Sequence, residues 1–244
     1  MVRLAIRVIL VLPLVLFALP ARGEESSAAT APPDAPAPAA GARGADAPPS
    51  KADLADLDRD DAAAEAAADR GDFPAALRYT DFFGHEQEEF ATAMLEYGRD
   101  QRKLRKAVVD ALGERAWLHA ADALGVPHHK PRGEGRSARR EGDVLYVRNG
   151  GAEFESPYVK VGGVWKVSVR DVLLTAIRAR FGQKEKVEEA DLHVLAGKMA
   201  KVIRGRSKGL SDLAEAVRTG QIRTDAALRE ATENLRRGPA RPRE

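Results

Sequence analysis

The chain has 244 residues, no cysteine, 39 Lys+Arg against 37 Asp+Glu, and a formal net charge of +2. Without cysteine there is no disulfide, thiolate zinc site, cysteine nucleophile or lipobox-type acylation. The apparent basicity comes partly from one end: Arg3, Arg7 and Arg22 precede the first acid, Glu24, so removal of residues 1–23 would bring the charge to 2 − 3 = −1.

Residues 1–23 read as a secretory signal. Arg3 and Arg7 form a positive start, Val8 to Leu19 an apolar run of about 12 residues, and small residues follow at Ala18, Ala21 and Gly23. Pro13 interrupts the run, which is short for a membrane span of about 20 residues. An uncleaved N-terminal anchor is the alternative. The expected address is exported, periplasmic or extracellular, with membrane contact only through this segment. Residues 24–50 are rich in Ala, Pro, Gly and Ser without an aromatic, and are expected to be a disordered tether.

Residues 51–70 are alanine-rich and acidic, predicting a helix with little to bury and a solvated acidic face. Asp56-Leu57-Asp58-Arg59-Asp60 resembles the start of a calcium loop. The turn glycine is replaced by Asp61, however, and the bidentate glutamate by Ala67. Residues 72–79 predict a short helix with Pro74 in its first turn. A long helix follows to Leu112, its core stripe marked by Phe83, Phe90, Met94, Tyr97, Leu104 and Val108. Arg115 to Leu124 continues helically until Gly125 and Pro127.

No metal and no cofactor is expected. His85-Glu86-Gln87-Glu88-Glu89 begins like a zinc-protease motif but ends on glutamate, and the pair His128-His129 lacks further ligands. Residues 130–140 carry Lys130, Arg132, Arg136, Arg139 and Arg140 against Glu134 alone, predicting a flexible basic loop. These five are the candidate anion-binding residues. No aromatic is interleaved, so nucleic acid is not the expected partner.

Three strands are predicted within about 143–169: Val144–Val147, Phe154–Val161 and Val164–Val169, turned at Asn149-Gly150-Gly151 and Gly162-Gly163. Pro157 marks an edge or bulge. Beyond them, Ser168 is the expected cap of a helix buried through Val172, Leu173, Ile177 and Phe181. A helix over about 186–204, a short one through Leu210, Leu213 and Val217, and a last one capped by Thr224 complete the chain. The fold class is thus α+β and mostly helical, a three-stranded antiparallel meander packed on helices. Residues 51–182 hold helices plus meander, and 183–238 a helical C-terminal region. Charge is uneven. Residues 51–100 carry 5 basic against 14 acidic side chains, net −9, and residues 171–244 carry 16 against 11, net +5.

The hairpin Tyr158-Val159-Lys160-Val161-Gly162-Gly163-Val164-Trp165-Lys166-Val167 resembles the closing strands of the nuclear-transport-factor-two-like (ketosteroid-isomerase-like) superfamily, over about residues 72–170. The resemblance implies a cone-like α+β fold with a pocket between helix and sheet. No position matches that group's acid–base pair, so no catalytic residue is assigned. The leading expectation is a non-catalytic binding or structural protein of the bacterial envelope, its partner another protein or a second copy of the chain. The alternative is a small-molecule pocket protein, lyase- or isomerase-like, using the concave sheet face. Tyr97, His119, Tyr146, Phe154, Tyr158 and Trp165 would line that pocket.

Overall fold

A computed structural model describes residues 48–126, 136–148, 155–181 and 187–237. The fold is mostly helical α+β. Its helices are α1 (Lys51–Asp69), α2 (Phe73–Leu77), α3 (Gly84–Leu112), α4 (Glu114–Leu124), α5 (Val169–Phe181), α6 (Glu189–Arg218) and α7 (Asp225–Arg237). Its strands are β1 (Thr80–Asp81), β2 (Ser137–Glu141), β3 (Val144–Arg148), β4 (Ser156–Val161) and β5 (Val164–Ser168).

The sheet corrects the expected three-stranded meander. It has five strands in the order β1-β5-β4-β3-β2, antiparallel except for β1, which runs parallel to β5. Strand β2 comes from the segment read as a flexible basic loop. Its sequence, SARRE, lacks the β-branched residues that signal a strand. Pairing with Val144–Arg148 and a two-residue turn at Gly142-Asp143, where Gly142 has φ 59°, make it one. Strand β1 is only two residues long, below what periodicity can register. The β4–β5 turn is the one expected, with Gly162 and Gly163 both at positive φ. The other predicted turn, at residues 149–151, lies outside the described residues. Pro157 sits in an interior strand, one residue before β4 begins pairing with β5 at Tyr158, so its missing N–H removes no bond of that ladder.

Local signals place most helix ends. Ser50 Oγ accepts from Asp53 N–H, Asp72 from Ala75 N–H, Ser168 from Asp171 N–H, and Thr224 from Ala227 N–H. Gly125 closes α4 in the left-handed conformation. The helices expected over 186–204 and around 210–217 are instead one helix, α6, running through Gly205 and Gly209. A glycine weakens a helix interior without ending it. At Gly209 the lost propensity is offset by packing, because a Cβ there would lie 2.2 Å from Leu235 Cδ1 of α7.

Helices α3 and α6 run parallel, as paired positions rise together from Gly84–His193 through Glu89–Arg204 to Asp100–Ser207. At 29 and 30 residues they form the spine. One hydrophobic cluster joins them to the sheet, through Phe90, Met94, Leu104, Leu145, Trp165, Leu173, Met199, Ile203 and Leu228. A smaller alanine cluster, Ala67, Ala68 and Ala76 with Leu95, fastens α1 and α2 to α3.

Candidate functional site

The two faces of the sheet differ. Register places Trp165, Val167, Tyr158, Leu145, Val147, Lys160 and Arg140 on the inner face. Of these, Trp165, Val167, Tyr158, Leu145 and Val147 are buried. Helix α1 lies against this face and brings its acids with it. Leu57, Asp60, Asp61, Ala64, Glu65 and Ala68 recur at helical spacing and are buried, which corrects the expectation of a solvated helix with little to cover.

The buried acids have specific partners. Asp60 accepts from the backbone N–H of Trp165 at 2.9 Å, and Tyr158 donates its hydroxyl to Asp61 at 3.2 Å. Around them Asp53 meets Arg140 at 3.3 Å and Lys160 at 3.5 Å, and Asp58 receives Arg136 at 3.0 and 3.1 Å. Arg140 and Lys160 both lie over the Trp165 ring, 5.8 and 5.3 Å from its centroid. A hydrogen bond from Ser50 holds the Asp53 carboxyl below its ordinary value, against a smaller upward push from burial, with Arg140 and Lys160 assisting.

This arrangement decides how the candidate anion-binding residues are used. Arg136 and Arg140 turn to α1, while Arg139 bonds Glu155 at 2.9 Å and also Glu141, and lies 4.4 Å over the Tyr146 ring. Each described member of the basic run faces a carboxylate of this chain. Lys130 and Arg132 lie outside the described residues, as does Phe154 of the pocket set.

The remaining pocket candidates occupy separate places. Tyr158 and Trp165 are packed beneath α1, each 2% exposed. Tyr146, on the opposite face, is half-buried, and burial raises its phenol above the ordinary value, with Asp171 adding to the rise. His119 on α4 joins α7: its Nδ1 is 2.8 Å from Asp225 Oδ2 and 2.7 Å from Arg229. Burial would raise the Asp225 carboxyl, but hydrogen bonds from His119 and Arg229 outweigh it and hold the group below its usual value. Tyr97 on α3 borders a cavity of about 20 Å³ together with Leu124, Arg206, Leu210, Leu235 and Arg236. Among the described residues, no group of three or more His, Asp or Glu side chains has metal-holding geometry.

The outer face of the sheet was not singled out by sequence reasoning. Val144 pairs with Val159, Val159 with Lys166, and Val161 with Val164, which puts the four valines on one side. Val161 is 44% exposed and the other three are part-exposed. The signal was present in the alternation of β5, whose second face reads Val164, Lys166, Ser168.

No protein-family model, curated protein or solved structure matches the chain.

Proposed function

We propose that this chain is an exported envelope protein that works by contact rather than by chemistry, and that the outer face of its sheet is the contact surface. The supporting observation is the row Val144, Val159, Val161 and Val164, left part-exposed while α1 packs over Trp165 and Tyr158 on the inner face. Contiguous apolar surface rimmed by charge, here Arg139, Arg148 and Lys166, is characteristic of protein interaction sites. Residues 1–23 supply the export signal in this reading and residues 24–50 the tether. No described helix is long and apolar enough to cross a membrane. In this reading the hairpin from Tyr158 to Val167 is what the chain shares with the nuclear-transport-factor-two-like superfamily, a resemblance of sequence pattern alone. Of the residues named for a pocket, Tyr158 and Trp165 lie on the inner face and are packed against α1.

Sedimentation of the full chain, extracted gently from the cell envelope, tests the proposal. The native chain should sediment as a complex well above its 26.3 kDa mass, and the double variant Val161→Lys, Val164→Lys as a smaller species. Equal sedimentation of the two would remove the outer face from the account.

A further inference from the structure

Helix α1 brings little apolar surface to the sheet it covers. Of its seven buried residues, three are acids, three are alanines and one is Leu57. Leu57 is its one buried side chain in the main hydrophobic cluster, while Ala67 and Ala68 belong to the small one. Carboxylates carry much of its hold on the sheet region. Asp53 and Asp56 reach Lys160 at 3.5 and 3.6 Å, and Asp53 also reaches Arg140 at 3.3 Å. Asp60 accepts from the Trp165 backbone at 2.9 Å. The fit is incomplete, because the Trp165 indole N–H is buried with no acceptor among the described residues. Buried donors are ordinarily satisfied. Elements with few buried apolar contacts open at a lower free energy than the core beside them.

We propose that α1 is a releasable strap, the resident occupant of a cationic and aromatic face that an acidic helix of another chain can take in its place. The resident helix shows what the incoming one needs. Asp53, Asp56 and Asp60 stand at i, i+3 and i+7, on one helix face, and meet Arg140, Lys160 and the Trp165 N–H. Carboxylates at that spacing, with an apolar side chain in the place of Leu57, reproduce the contact. An acceptor at the Trp165 indole would add a hydrogen bond that α1 does not make. Covalent attachment gives α1 a high effective concentration, so it holds the face until its ion pairs are weakened or a better-matched helix arrives. The spine stays in place on release, because Phe90, Met94, Met199 and Ile203 pack α3 and α6 into the main cluster.

Hydrogen exchange of the full chain, in low salt and in about 1 M KCl where the screening length falls to about 3 Å, tests the release. Amides of α1 should exchange about tenfold faster in high salt while those of α3 and α6 keep their rates. Lys160→Gln and Arg140→Gln should each speed α1 exchange already in low salt. Exchange of α1 in step with α3 and α6 under both conditions would overturn the strap, since α1 would then belong to one cooperative core. A labelled peptide of residues 50–70 tests the face itself. The full-length double variant Asp53→Asn, Asp56→Asn should bind it saturably, about tenfold more tightly than the native chain does. A scrambled peptide of the same composition should not bind. Equal binding to variant and native chain, no saturable binding to either, or equal binding of the scrambled peptide would overturn the assignment.

Discussion

Asp60 does for strand β5 what a neighbouring strand would otherwise do. Strand β1 reaches only Val167 and Ser168, so the Trp165 N–H beyond it points at α1, where the buried Asp60 carboxylate receives it. Replacing Asp60 by alanine leaves that donor without its acceptor, a cost of about 1–3 kcal/mol. The urea midpoint should fall accordingly for Asp60→Ala and clearly less for Asp60→Asn, which keeps an acceptor. Equal losses would show that charge, not the hydrogen bond, is what Asp60 supplies. Acid sensitivity follows from Asp53 and Asp225, whose carboxyls are held below the ordinary 3.8 in the folded chain. A depressed folded value means the stabilisation is present above the unfolded value and is lost as pH falls through the folded one. Stability should therefore be flat near neutrality and decline below about pH 4, and Asp225→Asn should show a shallower decline in urea titrations at pH 5 and pH 3.

At the scale of elements, glycine has two different roles within one helix. Gly209 accommodates Leu235, whereas a Cβ at Gly205 would meet nothing within 4 Å. Gly209→Ala should lower the melting temperature by several degrees as α7 is pushed from α6. Gly205→Ala should leave it unchanged or raise it, by up to about 1 kcal/mol of helix propensity. A thermal melt of both variants separates the cases, and similar behaviour would mean that α7 is not seated as described. The same glycines explain why α6 was read as two helices: sequence shows a weak helix former, not the neighbour that needs the space. Caps were legible because Ser168 and Thr224 act on amides three residues away. Strand β2 was not, because Arg139 and Arg140 owe their strand conformation to a partner strand and to carboxylates on other elements.

Across the whole molecule part of the uneven charge is paired internally. The acids of α1 meet Arg136, Arg140 and Lys160 of the sheet region, and Glu86, Glu89 and Asp100 of α3 meet His193, Arg204 and Ser207 of α6. The composition of residues 51–100 announced a basic counterpart, but not that much of it lies in the segment 136–160. Sequence likewise identified Tyr158 and Trp165 as important aromatics without revealing that α1 would cover them. Burial of a helix face bearing the carboxylates Asp60, Asp61 and Glu65 runs against composition, and only its 3.6-residue spacing from Leu57 to Ala68 hinted at it. Helix α1 packs on the inner face, whereas the outer face leaves Val144, Val159, Val161 and Val164 part-exposed.

The most direct measurement is photo-crosslinking in intact cells from a reactive side chain placed at Val161, with exposed Lys208 of α6 as control. A discrete adduct from position 161 and none from 208 is the predicted result. Adducts of equal yield from both positions, or none from 161, would contradict the assignment of the outer sheet face as the contact surface.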